Sequence, residues 1–165
     1  MPSALPAALR SPTAWSASIS LLCCTQTSRC ADERLSLVAG GEPIESNADP
    51  IAIRRLFGNL IDNAIAAADR RQVNITREID HAVVTVDDDG PGIPEAEREA
   101  VLEPFYCLDR ALNRDRARNR DRGGSGLGLA IARQVVDGHG GTIEIGVSPL
   151  GGARITINLT VPALP

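Results

Sequence analysis

Three groups of residues have the types and spacing to do chemistry. The first is Asp87-Asp88-Asp89-Gly90-Pro91-Gly92-Ile93-Pro94, directly after the alternating run Ala82-Val83-Val84-Thr85-Val86. The run predicts a strand. Glycines after it carry no Cβ and tolerate φ > 0, so the backbone can pass close to a ligand while Asp88 stands at the strand mouth as an acceptor. Such an acceptor suits a ring bearing an exocyclic amine, of which adenine is the commonest. An acidic strand-to-helix turn explains these eight residues equally well. The second group is Asn59 and Asn63, four apart and projecting together from a predicted helix; taken alone, a solvated face accounts for them. The third is Gly124-Ser125-Gly126-Leu127-Gly128-Leu129, which leads into another helix. Glycines there leave N–H groups bare beside the positive end of the helix dipole, a ready phosphate site. The loop lacks the preceding strand and trailing ribose acid of a dinucleotide fold. Taken with it, the two asparagines offer neutral oxygens for a hydrated Mg²⁺ bridging the phosphates. Base acceptor, metal ligand and phosphate loop are then all present.

The elements that must position these groups follow from patterning. Arg34-Leu35-Ser36-Leu37-Val38 predicts a short edge strand, and Glu42 to Ala48 a loop. Asp49-Pro50 opens a helix, since Asp can cap free N–H groups and Pro suits the first helical position. Ile53, Leu56, Phe57, Leu60, Ile61, Ala64, Ile65 and Ala68 form one stripe along it. Gln72 to Ile79 and Ala82 to Asp87 predict a hairpin turning near Asp80-His81. A short helix over Glu95 to Leu102 precedes Glu103-Pro104-Phe105-Tyr106. Residues 107–123 contain a six-residue unit written almost twice, Arg110 to Asp115 and Arg116 to Asp121. Mixed charge without an apolar stripe predicts a mobile loop there, a lid over a polyphosphate. A helix from Ala130 to about Asp137, stopped by Gly138, Gly140 and Gly141, leads to a second hairpin, Thr142 to Val147 and Ala153 to Val161. His139 is placed to cap a helix end, and His81 is a turn residue.

Composition narrows the classes. The 165 residues are 43% hydrophobic but 2% aromatic, so one domain with an aliphatic core is expected. All seventeen basic residues are arginine, which excludes a lysine-dependent P-loop. A net charge of −4 leaves no electrostatic footprint for nucleic acid. The four cysteines, three of them at Cys23, Cys24 and Cys30 and the fourth at Cys107, make no metal or disulfide framework and are expected as reduced thiols. Residues 1–31 have no acidic residue and are expected to be a disordered or truncated leader ahead of a domain over 32–165. No run approaches a membrane span.

In that order and context the chain resembles the ATP-binding catalytic domain of bacterial sensor histidine kinases, within the gyrase/MutL/histidine-kinase ATPase superfamily (the Bergerat fold). The resemblance covers about residues 32–162. It rests on Leu56-Phe57-Gly58-Asn59-Leu60-Ile61-Asp62-Asn63-Ala64, Asp88-Asp89-Gly90-Pro91-Gly92-Ile93, Glu103-Pro104-Phe105-Tyr106 and the last glycine loop. It implies an α+β two-layer sandwich, a mixed, mostly antiparallel sheet covered on one face by three helices, with ATP held under a lid at about 107–123. It further implies that Asn63 ligates Mg²⁺, that Asn59 lies beside the phosphates, and that Asp88 binds the adenine amine with Gly90, Gly92 and Ile93 shaping that wall. Gly124, Ser125, Gly126, Leu127, Gly128 and Leu129 would hold the triphosphate, and Phe105 would anchor the lid. ATP-hydrolysing members of the superfamily place a glutamate at the Asn59 position to activate water, and an amide cannot act as a base. The implied activity is therefore transfer of the γ-phosphoryl group to a histidine, with Asn59 and Asn63 as the catalytic pair.

The chain departs from the family pattern at Ala66 and Ala67, where a basic residue and an aromatic are usual, and at Cys107, where a basic residue is common. It has no acceptor histidine in a helical dimerisation region. The expected partners are thus a histidine-bearing dimerisation domain, acting in trans or lost by truncation, and a response regulator downstream, in the cytoplasm. Two alternatives stand beside this reading: a catalytically impaired ATP-binding regulatory module, and an anti-sigma serine kinase, against which Asn59 counts.

Overall fold

A computed structural model of the chain describes residues 17–18, 35–39, 44–46, 48–108 and 125–161. Helix α1 (Pro50–Ala67) starts as its capping signal requires: the Asp49 carboxylate accepts the Ile51 N–H at 2.9 Å, with Pro50 at the first position. Ile53, Leu56, Phe57, Leu60, Ile61 and Ala64 are buried, one face of a 3.6-residue repeat. Just past its end the buried Arg71 donates to the Ala68 and Asp69 carbonyls at 3.1 and 3.0 Å, satisfying acceptors that a helix end leaves bare.

Strands β1 (Ala17–Ser18), β2 (Leu35–Ala39), β3 (Glu45–Ser46), β4 (Arg71–Arg77), β5 (His81–Asp88), β6 (Thr142–Val147) and β7 (Ala153–Thr160) form two sheets. The main sheet has the order β2-β4-β5-β7-β6. β2 runs parallel to β4 at the edge, and the other pairs are antiparallel. Register aligns Val73, Val86, Ile155 and Ile145 in one row, and Ile75, Val84, Ile157 and Ile143 in the next. Along β5, Ala82, Val84, Val86 and Asp88 are buried, the period-2 face on which the helices lie. Helix α2 (Gly128–Gly138) buries Leu129, Ala132 and Val136 against the same core. Burial of each such aliphatic side chain contributes about 1.5–3 kcal/mol.

Two details differ from the sequence expectations. The third helical piece is a pair of 3-10 turns, Glu95–Glu97 and Ala100–Leu102, burying Val101 and Leu102. Eight residues are too few to nucleate a stable α-helix, and short pieces of this kind close as 3-10 turns. Within the expected leader and loop, Ala17–Ser18 and Glu45–Ser46 pair as antiparallel strands. The rest of residues 1–31 lies outside the described residues. His139 links the two helices: its Nε2 accepts the Asp49 N–H at 3.3 Å while Nδ1 lies 2.7 Å from the Val135 carbonyl, a pairing that requires the proton on Nδ1. Among the described residues, no helix is long and apolar enough to cross a membrane.

Candidate functional site

The three adjacent aspartates have three different tasks, and strand alternation separates them. Asp88 points to the helix-covered face and is 5% exposed. Its Oδ1 accepts the Gly90 N–H at 2.9 Å and the Ala153 N–H at 3.0 Å. Among the described residues, Oδ2 takes no hydrogen bond. Asp87, on the opposite face, is held bidentately by Arg154 at 2.7 and 2.9 Å, and this carboxylate raises the Arg154 pKa above its ordinary value. Asp89 accepts the Asp69 and Arg70 N–H groups at 3.0 and 2.8 Å and the Arg70 guanidinium at 3.0 Å. Those bonds, the Arg70 backbone donor foremost, lower its pKa.

The end of α1 closes on this turn. A Cβ on Gly90 would lie 2.7 Å from the Ala67 carbonyl oxygen, so only glycine allows the strand mouth to pass the helix end. One and two turns back from that end, Asn63 and Asn59 are half-buried. The Asn59 amide donates to the Arg55 carbonyl at 2.9 Å, which fixes the side chain along the helix. Asn63 makes no side-chain hydrogen bond among the described residues. The packing of α1 on α2 sets the glycine loop beside them: a Cβ on Gly128 would sit 3.8 Å from Asn59 Oδ1. The asparagine helix therefore touches the Asp88 turn at its C-terminal end and the N-terminus of α2 at Asn59.

Residues 48–163 match the family described as "Histidine kinase-, DNA gyrase B-, and HSP90-like ATPase". The chain belongs to this ATPase family. Similar proteins include the sensor histidine kinase GtrS of Pseudomonas aeruginosa, 37% identical over 130 residues, which covers 78% of this chain and 25% of the relative. The sensor histidine kinase CpxA of Escherichia coli is 37% identical over 119 residues, covering 72% and 24%. The chain thus spans about a quarter of the length of these two kinases. Among solved structures, the mycobacterial sensor histidine kinase MprB superposes with a TM-score of 0.73 at 27% identity, covering 90% of this chain and 98% of the other. The histidine kinase domain of the E. coli osmosensor EnvZ gives 0.67 at 29% identity, covering 91% and 90%. Fold and family are those that the four motifs implied, and the family's ATP-binding domain is the unit present.

Within this ATPase domain the remaining expected site residues divide. Gly92 has φ +73° and lies against the Gly152 backbone. Ile93 packs on the core rim. Gly126 has φ +71°, and a Cβ there would fall 2.8 Å from the Tyr106 carbonyl oxygen and 3.0 Å from Cys107 Sγ. It thereby holds residues 105–107 against the start of the glycine loop, helped by the Phe105 N–H donating to its carbonyl at 2.9 Å. Leu127 is half-buried, Ser125 is exposed, and Leu129 is a core residue. Phe105 is 72% exposed with its backbone at φ +65°. Beside it the half-buried Tyr106 packs against the core, and its hydroxyl donates to Glu97, the bond that raises the tyrosine pKa. Gly124 and most of the lid, 109–124, lie outside the described residues. Sequence reasoning missed Gly152 and Ala153, which reach Asp88 from 65 positions away; the glycine pair at 151–152 was the available signal.

Proposed function

We propose that this domain binds Mg-ATP and donates the γ-phosphoryl group to a histidine on a separate dimerisation domain, as the catalytic part of a two-component sensor kinase. Asn59 carries the reading. It stands beside the start of α2 with its amide donor tied to the Arg55 carbonyl, and an amide cannot take the proton of an attacking water or serine. Asp88 Oδ2 accepts the adenine amine, and the N-terminus of α2 with Gly126 and Gly128 receives the phosphates. The Asn63 amide, half-buried on α1 and without a side-chain hydrogen bond among the described residues, fits Mg²⁺. Magnesium keeps its waters and takes few protein ligands besides substrate phosphates. Asn63 supplies one such neutral oxygen, and the bound ion would offset phosphate charge. A phosphorylated acceptor domain would pass the group to a response regulator, and the supply of ATP places the domain in the cytoplasm.

A second reading, an ATP-binding module without useful transfer, is favoured by the cation balance at the α1 end. Ala66 and Ala67 are exposed and carry no charge. Nearby, Arg70 is paired with Asp89 and Arg71 is turned onto backbone carbonyls. Electrostatic stabilisation dominates phosphoryl transfer, so these losses bear on rate. Incubation with radiolabelled ATP and a separate dimerisation domain bearing an acceptor histidine decides between them. Acid-labile label supports transfer to histidine, acid-stable label indicates a serine kinase, and ATP binding without label supports the module. Ala66→Arg should raise the labelling rate if the missing cation limits it.

A further inference from the structure

The edge of the main sheet opposite β2 ends beside a hollow that nucleotide binding does not use. β6 is the outermost strand there, so among the described residues the N–H and C=O groups along its outer side have no strand partner. An open edge of this kind is a template for another extended segment. A hollow of about 200 Å³ opens at its first residues, Thr142 and Ile143, and is closed by Leu102 and by Arg133 and Asp137 of α2. Leu102 is buried and Ile143 half-buried, which gives the hollow an apolar floor. It lies apart from the asparagines: Asp137 is about 13 Å along α2 from Gly128, at about 1.5 Å per residue.

The rim is charged and unbalanced. Arg133 lies 3.6 Å from Glu99, 3.9 Å from Glu103 and 3.8 Å from Asp137, each beyond hydrogen-bond length. One cation is thus shared among three exposed carboxylates. None of the three accepts a hydrogen bond to its side chain among the described residues. The exposed Glu144 adds another negative charge on β6 itself. Among the described residues no group of three or more His, Cys, Asp or Glu side chains could hold a metal ion, so a bare cation does not suit the rim. A cation on an apolar stem does, because the stem lies along apolar surface while the charged head stays at the polar edge.

We propose that the β6 edge and this hollow together form a docking site for an extended segment of a partner protein that carries an arginine. Sheet geometry couples the two features. Ile143 shares a row with Ile157 and the buried Val84, on the helix-covered face. Residues directly opposite on neighbouring strands share a face. A residue paired with Ile143 from outside therefore points to the face on which the hollow opens. Backbone pairing supplies affinity, and the three carboxylates select the side chain. Arginine suits them better than lysine, because its fork can donate to more than one carboxylate at once.

The test titrates the whole chain with a short labelled peptide of alternating Thr and Val bearing one central arginine, and with its glutamine counterpart, read by fluorescence anisotropy. The arginine peptide should bind about 5- to 20-fold more tightly, the worth of one charge-assisted hydrogen bond, and the gap should narrow as salt rises. Amide hydrogen exchange should slow along residues 142–147 when it binds, and saturating Mg-ATP should not displace it. Asp137→Asn and Glu99→Gln, each checked for folding by thermal melting, should weaken the arginine peptide about threefold or more and leave the glutamine peptide nearly unchanged. Equal binding of the two peptides, binding of neither, displacement by Mg-ATP, unaltered exchange along β6, or a preference that survives both variants would each overturn the site.

Discussion

Gly90→Ala should damage fold and site together, and the size of the effect can be worked from contacts. The added methyl would sit 2.7 Å from the Ala67 carbonyl oxygen and 3.1 Å from Asp88 Oδ1. The first is helix backbone, held in place by the buried stripe of α1, so it cannot swing aside as a side chain end would. Overpacking of this kind costs about 1–3 kcal/mol. At about 2–4 °C per kcal/mol for a chain of this size, melting should fall by roughly 2–12 °C. The displacement also pulls the Gly90 N–H from Asp88, so Mg-ATP affinity should drop about tenfold, the equivalent of one hydrogen bond to a charged group. Gly146→Ala is the control: it lies in β6 with nothing within 4 Å of its Cβ position and no positive φ. It should be neutral or raise stability by about 0.4–1 kcal/mol through the unfolded chain. Scanning calorimetry and nucleotide titration of both variants check the argument. If Gly90→Ala melts with Gly146→Ala and binds ATP as wild type does, the contact between α1 and the Asp88 turn does not matter as argued.

Other outcomes follow from the same geometry. Asn63→Ala should leave ATP bound but abolish the Mg²⁺ dependence of its affinity in titrations with and without the metal; unchanged dependence would remove Asn63 as the ligand. Phe57→Ala, emptying a fully buried position, should cost about 3–5 kcal/mol in denaturant unfolding, and a loss under 1 kcal/mol would mean that the core collapses around it. The Asp89 pKa is depressed from its ordinary 3.8, so its stabilising contribution is complete above that value and lost as pH falls through the lower, folded one. Urea midpoints of wild type and Asp89→Asn should therefore differ at neutral pH and converge as the pH falls below the ordinary carboxylate range, and a gap constant with pH would count against it.

Much of this arrangement was legible because its causes are local. Asp49-Pro50 and the apolar stripe specify α1, and alternation specifies both hairpins and puts Asp88 on the covered face. The close passage of the Asp88 turn could also be read, since glycines directly after a strand mark a place where backbone must approach another element. What escaped was set by neighbours distant in sequence. The tasks of Asp87 and Asp89 could not be read, because Arg154 and Arg70 become their partners only after β7 has paired with β5 and the α1 end has turned into β4. The exposure of Phe105 was equally hidden, because its type says nothing of the left-handed backbone on which it sits while Tyr106 packs against the core. The direction of β2 was equally invisible, because a short apolar run states that it pairs without saying which way.

The place of β7 has a consequence for biosynthesis. Among the described strands it is the last in chain order, yet it lies between β5 and β6, so an interior strand of the sheet leaves the ribosome after both of its neighbours. Until residues 153–160 have emerged, β5 and β6 have nothing to join them, and Asp88 lacks one of the two donors that orient it. Contacts of such long sequence separation form late and slowly. A nascent chain should therefore acquire nucleotide affinity in one step once β7 has emerged, and ATP would favour chains that have closed the sheet over those that have not.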